Sequence, residues 1–189
     1  MQFCAILVTK MPHLFETTVL SEEIYNGKIL KLKKDIVTLE NGETAVREVV
    51  EHSGGVCVLP LNDLGEIIFV EQFRYPFKQA LLELPAGKRE AGEDPLACGI
   101  RELKEEIGAE SENITYLGKL YPTVAYDTEV IYMYLAKDLK FSGQHLDQDE
   151  FVDIVSIPFK EAVEMIMNDE IPDAKTQIAI LKAKNILRL

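Results

Sequence analysis

The fold of this 189-residue chain is decided by the stretch Gly87–Ala109, which reads GKREAGEDPLACGIRELKEEIGA. Its second half predicts a helix over residues 95–107, because Asp94 is a favoured N-cap and Gly108 is favoured just past a helix end. A proline in the first turn, Pro95, agrees with this start. Apolar residues recur along the helix at steps of four, three and four, which predicts one stripe packed against a core. The stripe consists of Leu96, Ile100, Leu103 and Ile107.

The same predicted helix carries three carboxylates on one face. Glu102, Glu105 and Glu106 stand at i, i+3 and i+4, so their side chains are neighbours. Like charges at this spacing repel unless a cation lies among them. The candidates are Arg101 and Lys104 of the same helix, or a hard divalent cation, which prefers oxygen ligands. A solvated acidic surface is the alternative. The Gly-containing loop that begins at Leu84 and leads into the helix favours a metal and phosphate site, since such loops bring backbone groups close to a ligand.

Outside this stretch, the pattern predicts an α/β chain with two parts. Residues 1–50 form an N-terminal extension with a small antiparallel sheet, because the turn dipeptides Asn26-Gly27 and Asn41-Gly42 separate segments rich in branched residues. Residues 51–189 form a domain with a mixed sheet, because strand-like runs surround one internal helix and helices follow. The predicted strands are 55–61, 66–71, 113–117, 129–136 and 152–156, and the later helices are 159–167 and 174–187.

The composition narrows the class of protein. Hydrophobic residues make up 47% and charged residues 28%, which is typical of a globular domain. The net charge of −12 disfavours nucleic acid and anionic membrane surfaces as partners. No apolar run reaches the ~18 residues that a membrane-spanning helix needs. The scattered Cys4, Cys57 and Cys98 are typical of reduced thiols, so we expect a cytoplasmic protein.

The stretch that begins at Gly87 resembles the Nudix box, G-x5-E-x7-R-E-U-x-E-E-x-G-U with U an apolar residue, at every fixed position. Further segments resemble the ADP-ribose pyrophosphatase branch of that family. They are Ile24–Lys28, Arg47–His52, Glu71–Pro76, Leu82–Gly87 and Asp173–Thr176. The resemblance implies a Nudix fold, an α/β/α sandwich with a mixed sheet. It also implies a homodimer that exchanges its N-terminal sheets, and hydrolysis of the pyrophosphate bond of ADP-ribose to AMP and ribose 5-phosphate.

The resemblance also implies a role for individual residues. The metal ligands are the Ala86 carbonyl, Glu102, Glu105, Glu106 and Asp149, and the cation is Mg²⁺, with Mn²⁺ as an alternative. The catalytic residues are Glu105, Glu106, Asp149 and Glu150. The residues that bind the nucleoside diphosphate sugar are Tyr25, Arg47, Glu48, Arg74 and Glu129. Glu93 and Arg101 form an ion pair that orients the ligands. Two or three cations neutralise the glutamates and the pyrophosphate together, which reconciles an acidic protein with an anionic substrate.

Two features leave alternatives open. The acidic loop Asp147–Glu150 is either a source of the catalytic base, with Asp149 favoured, or a solvated loop. Val124 and Ala125 stand where the ADP-ribose pyrophosphatases usually carry proline and glycine. A different nucleoside diphosphate sugar or a dinucleotide is therefore the alternative substrate. A non-catalytic module that binds ADP-ribose is a further alternative, which the intact carboxylates disfavour.

Overall fold

A computed structural model describes residues 13–146 and 150–189, and these contain twelve strands and three helices. The strands are β1 Thr17–Asn26, β2 Lys31–Thr38, β3 Thr44–Glu51, β4 Gly55–Pro60, β5 Glu66–Arg74, β6 Gln79–Glu83, β7 Ala86–Lys88, β8 Ala109–Glu110, β9 Asn113–Leu120, β10 Ile131–Lys137, β11 Lys140–Phe141 and β12 Val152–Pro158. The helices are α1 Pro95–Ile107, α2 Phe159–Met167 and α3 Ala174–Leu187. In the part of the chain that the structure describes, no helix is long and apolar enough to cross a membrane.

The chain divides into two compact units. The N-terminal unit contains the residues up to His52 together with Ala125–Asp127, and the second unit contains Ser53–Val124 and Thr128–Leu189. The N-terminal unit is an antiparallel sheet in the order β1-β2-β3, as the sequence predicts. Within this unit, the segment Ala125–Asp127 is hydrogen-bonded to β3: the Val50 N–H donates to the Tyr126 carbonyl at 2.7 Å.

The second unit contains the predicted mixed sheet. Its strands lie in the order β7-β4-β10-β9, with β10 parallel to β4 and antiparallel to β9. A second, antiparallel sheet has the order β12-β5-β6, and β8 pairs with β11. The predicted helices over 159–167 and 174–187 are confirmed as α2 and α3.

Helices cover both faces of the central strands. Successive residues of a strand point to opposite faces, and β4 alternates accordingly. Cys57 and Leu59 belong to the core cluster that contains Ile180 of α3, whereas Val58 belongs to the cluster that contains Leu103 of α1. The alternation produces the α/β/α arrangement that the sequence analysis expects.

Helix α1 has the predicted bounds and caps. The Asp94 carboxylate accepts hydrogen bonds from the N–H groups of Leu96 and Ala97, at 2.9 and 3.1 Å. Gly108 has a φ of 64°, in the left-handed region that favours glycine. These caps satisfy backbone groups at both ends of the helix.

The predicted apolar stripe of α1 is wrong in its first half. Leu96 and Ile100 are 39% and 40% exposed, whereas Leu103 and Ile107 are buried. Gly99 explains the rotation, since a Cβ at this position would lie only 3.2 Å from the Val58 side chain. The helix therefore packs closely along this side and turns other residues inward. The buried residues of α1 are Cys98, Gly99, Glu102, Leu103, Glu106 and Ile107.

Candidate active site

The short strand β7 places backbone against the acidic residues of α1. Residues 84–94 are predicted as a loop, but Ala86–Lys88 pair with β4, with Ala86 opposite Cys57. The Ala86 N–H donates to Glu106 Oε2 at 2.9 Å. A Cβ on Gly87 would lie 1.9 Å from the Glu102 carboxyl carbon, so only glycine allows this approach. Residues 86 and 87 thus touch two of the carboxylates predicted to hold a metal.

Two of the three clustered carboxylates are buried. Glu102 and Glu106 are 8% and 4% exposed, and Glu105 is half-buried. Burial raises the pKa of Glu102 to about 7, and the charges of Glu105 and Glu150 act in the same direction. Burial also raises the pKa of Glu106 to about 8, reinforced by the charges of Glu102 and Glu150. The cluster therefore contains more buried negative charge than its surroundings neutralise.

Arg101 is the cation that holds this cluster to the preceding loop. Its Nη1 lies 2.8 Å from both Glu102 Oε1 and Glu105 Oε2, and its Nε lies 3.0 Å from Glu93 Oε1. The hydrogen bond from Arg101 lowers the pKa of Glu93 to about 2. The guanidinium thus joins the loop to the helix and orients two of the carboxylates.

The donor set fits a hard divalent cation. Within residues 13–146 and 150–189, no three Asp, Glu, His or Cys side chains form a metal cluster by themselves. Two buried carboxylates lie beside Ala86, whose carbonyl is the expected backbone ligand. Mg²⁺ typically combines one or two carboxylates with water and substrate phosphate oxygens, so a small protein donor set suits it. Burial is the main cause of the raised pKa values of both carboxylates, and a bound cation would favour their ionised forms.

The residues that precede the acidic loop contact the C-terminal end of α1. The Gln144 amide donates to the Glu106 carbonyl at 2.7 Å, and the His145 N–H donates to the Glu105 carbonyl at 2.9 Å. Glu150 is exposed, and its charge raises the pKa of both buried glutamates. The predicted residues Asp147 and Asp149 lie outside the described residues.

Arg74 binds a buried glutamate outside the carboxylate cluster, and its charge acts on the cluster. Its guanidinium binds the buried Glu83 with two hydrogen bonds, at 2.5 Å from Nε and 2.7 Å from Nη2. Its charge also lowers the pKa of Glu106 against the effect of burial. The sequence does not predict the role of Glu83, because a single glutamate in an apolar strand gives no indication of its partner.

The other predicted substrate residues lie in two different units. In the N-terminal unit, Arg47 pairs with Glu16 at 2.5 Å and Glu48 is exposed on β3. Both line a cavity of about 420 Å³. Its lining residues are Leu32, Val46, Arg47, Glu48, Val50, Ala125 and Tyr126. Tyr25 lies on β1, 58% exposed, and is not among them. In the second unit, Glu129 is half-buried two residues before β10.

Family models match most of the chain. Residues 51–178 match the NUDIX domain, and residues 16–50 match the nucleoside diphosphate sugar hydrolase N-terminal domain.

Individual relatives share most of their length with this chain. A methanol dehydrogenase activator of Bacillus methanolicus is 41% identical over 87% of this chain and 90% of its own. An ADP-ribose pyrophosphatase of Bacillus subtilis (strain 168) is 38% identical over 90% of this chain and 93% of its own. Among solved structures, an ADP compounds hydrolase has the same fold, with a TM-score of 0.82 and 21% identity over 92% of this chain and 94% of its own.

Proposed function

The chain belongs to the Nudix hydrolases, and we propose that it cleaves the pyrophosphate bond of ADP-ribose to give AMP and ribose 5-phosphate. One observation carries the proposal: Glu102 and Glu106 are buried beside Ala86 and Gly87 with their charge only partly neutralised. The pyrophosphatase relative, which is similar over nearly the whole chain, supports ADP-ribose as the substrate.

The same site supports Mg²⁺ as the cofactor, with Mn²⁺ as the alternative. Glu102, Glu106 and the Ala86 carbonyl are the proposed ligands of the cation, and Glu105 and Asp149 are proposed as additional ligands. Such cations, when bound, stabilise charge on phosphoryl oxygens and lower the pKa of water.

The protein groups divide the remaining work. The Ala86 N–H and the Arg101 guanidinium hold Glu106 and Glu102 in place through the contacts described above. We expect Glu105, or a carboxylate of the acidic loop such as Asp149 or Glu150, to accept the proton of the attacking water. Arg74 uses Nε and Nη2 on Glu83, so we expect Nη1 to donate to a phosphoryl oxygen.

The N-terminal unit supplies the proposed nucleoside contacts. Arg47 and Glu48 line its cavity, and we assign the adenosine side of the substrate to them and to Tyr25. Glu129, in the second unit, is a further proposed substrate residue. Ala125, one of the two residues that differ from the family pattern, lines the same cavity. We therefore expect substitutions in this cavity to change substrate preference more than substitutions in the Nudix box do.

We also propose that residues 1–50 act as an extension that is exchanged in a homodimer, with residues 51–189 as the hydrolase domain. Every residue of β1 is exposed in the single chain. Val19, Leu20 and Ile24 are 64%, 57% and 50% exposed, which is unusual for apolar side chains on one strand. Sedimentation should give a dimer, and Leu20→Asp should shift it toward monomer.

The test is a substrate panel of ADP-ribose, GDP-mannose and NAD⁺ with Mg²⁺ and product analysis. We expect ADP-ribose to be the fastest substrate, and Glu106→Gln to lose most of the rate. Glu110→Gln is the matched control, because Glu110 follows α1 but pairs with Lys104 on the surface. A faster second substrate would contradict the substrate but not the enzyme class. ADP-ribose binding without turnover would contradict the enzyme class and favour the binding module.

A further inference from the structure

A network of four charged side chains lies at the N-terminus of α3, outside the Nudix box. Lys175 is 11% exposed at its side chain, and its Nζ contacts the Glu83 carboxylate and lies 3.0 Å from Asp173 Oδ2. Glu83 is 2% exposed and binds Arg74 with two hydrogen bonds. Cations and carboxylates therefore alternate from Asp173 through Lys175 and Glu83 to Arg74.

The next residue of the same helix turn holds the backbone before β7. Thr176 is fully buried, and its hydroxyl accepts a hydrogen bond from the Leu84 N–H at 2.9 Å. The Pro85 carbonyl accepts from the Val58 N–H at 2.9 Å, and the Ala86 N–H donates to Glu106. Each residue from 83 to 86 is thus fixed by a separate contact, two of which come from α3.

The stability of helix α3 does not explain these two residues. Asp173 already caps the helix, because its carboxylate accepts from the Thr176 N–H at 3.0 Å. A lysine in the first turn opposes the helix dipole. A buried ion network is also a poor source of stability compared with apolar packing. The position of Lys175 makes sense in relation to Glu83 and Arg74.

The network is electrostatically continuous with the carboxylate cluster. The hydrogen bond that Arg74 donates to Glu83 raises the pKa of Arg74, and the charges of Asp173 and Glu106 add to the rise. Burial raises the pKa of the Cys57 thiol, which lies opposite Ala86, and the charges of Lys175, Asp173, Glu106 and Glu83 also act on it. A change of charge at the N-terminus of α3 should therefore alter the electrostatics of the candidate active site.

We propose that Lys175 and Thr176 are positioning residues for this site: Lys175 orients Arg74 through the shared Glu83 carboxylate, and Thr176 fixes the backbone that presents Ala86. The inference rests on the proposed function, in which Arg74 contacts a phosphoryl oxygen and Ala86 supplies a metal ligand. Neither residue is proposed to touch substrate or cation.

The test of Lys175 is a double-mutant cycle with Arg74. Lys175→Met keeps the length of the side chain and removes its charge, and we expect kcat/KM for ADP-ribose to fall about 10- to 100-fold. In an Arg74→Ala background the same change should cost less than about threefold, because the residue through which it acts is gone. Lys182→Met, on the same helix, is the control for the loss of a lysine and should stay within about twofold of wild type.

The test of Thr176 uses cation affinity without substrate. We expect Thr176→Val to weaken Mn²⁺ binding about tenfold, since the Leu84 N–H loses its acceptor and the Ala86 segment shifts. Thr176→Ser keeps the hydroxyl and should bind Mn²⁺ like wild type. Circular dichroism melting establishes that each variant is folded at the assay temperature. If Lys175→Met does not fold, Asp173→Asn keeps the cap and should give the same loss in weaker form.

The outcomes separate the two proposals. An active wild type in which Lys175→Met keeps its kcat/KM, or in which its effect multiplies with that of Arg74→Ala, would overturn the role of Lys175. Unchanged Mn²⁺ affinity in Thr176→Val would overturn the role of Thr176. A wild type that cleaves no nucleotide in the panel would contradict the proposed function, and the Mn²⁺ titrations alone would then decide the inference.

Discussion

Two buried glutamates of the second unit show opposite electrostatic behaviour. Glu83 and Glu106 are 2% and 4% exposed, so water solvates neither carboxylate. Burial pushes the pKa of Glu83 upward, but the hydrogen bond from Arg74 and the charge of Lys175 outweigh it and hold the pKa below its ordinary value. Burial raises the pKa of Glu106 to about 8, and the hydrogen bond from the Ala86 N–H and the charge of Arg74 do not outweigh it.

The difference separates a carboxylate that is paired within the protein from one that we propose binds a cation. Glu83 is neutralised by cations of the protein itself, so it has no capacity left for an added ion. Glu106 shares its surroundings with Glu102 and Glu105, and Arg101 is divided among several carboxylates. A site whose charge the protein leaves unbalanced is the site at which a cation from solution is expected.

The largest expected effect is the loss of catalysis at Glu106. Glu106→Gln keeps the shape and removes the charge, so kcat should fall about 10³-fold, as when an electrostatic contact to the transition state is lost. The metal-free variant should be at least as stable as wild type at pH 8, because an unpaired buried carboxylate is removed. Steady-state kinetics and urea unfolding measure the two results. A variant that is destabilised yet active would reverse the assignment of the two glutamates.

Glu83 should show the opposite balance. Glu83→Gln leaves Arg74 and the buried Lys175 without their carboxylate, so the free energy of unfolding should fall by about 3 kcal/mol. Urea unfolding in EDTA measures this change without any contribution from bound cation. Glu71→Gln, on the exposed side of β5, is the control. A loss below about 1 kcal/mol would mean that the network contributes little to stability.

The pH dependence of stability should differ in sign from ordinary acid denaturation. Glu102 and Glu106 have folded pKa values of about 7 and about 8, above their value of 4.5 in the unfolded chain. Between these limits the folded state binds more protons, so its stability falls as pH rises. From pH 6 to pH 8 the metal-free protein should lose about 3 to 4 kcal/mol. Urea unfolding in EDTA measures the slope, and Glu102→Gln combined with Glu106→Gln should flatten it.

Saturating Mg²⁺ provides the complementary control for this dependence. Cation binding requires ionised carboxylates, so Mg²⁺ should stabilise the protein more at pH 8 than at pH 6. Equal stabilisation at both pH values would show that the cation binds away from Glu102 and Glu106.

The smallest expected effect comes from Gly87. A Cβ at this position meets the Glu102 carboxylate, a side-chain end that can move aside. Gly87→Ala should therefore fold, and kcat should fall about tenfold because one carboxylate is displaced. Gly65→Ala, in the exposed turn before β5 where a Cβ would meet no other atom within 4 Å, is the control and should keep its activity. Equal activity in both variants would mean that the position of Glu102 is not critical.

Local sequence signals are sufficient to predict the helices, but they do not predict contacts between residues that lie far apart in the sequence. The bounds of α1 follow from Asp94 and Gly108, because caps act within one turn. The rotation of α1 about its axis could not be predicted, since it depends on the contact between Gly99 and Val58 of β4. The pairing of Ala86–Lys88 with β4 was missed for the same reason.

The candidate site divides in the same way. The spacing of Glu102, Glu105 and Glu106 predicts that they are neighbours, and the structure adds that two of them are buried. The contact between Glu83 and Lys175 joins residues 92 positions apart, and no periodicity within either segment indicates it. The sequence thus predicts the cluster of Glu102, Glu105 and Glu106, but it does not predict the ion pairs of Glu83.

The most direct test of the account is turnover of ADP-ribose by protein freed of metal with EDTA, before and after Mg²⁺ is restored. We predict no turnover without the cation, and AMP with ribose 5-phosphate as the products once it returns. Glu83→Gln, where it remains folded, should still respond to Mg²⁺, and Glu106→Gln should not. Hydrolysis that continues undiminished in EDTA, or an undiminished response to Mg²⁺ in Glu106→Gln, would contradict the central claim that these buried carboxylates bind the catalytic cation.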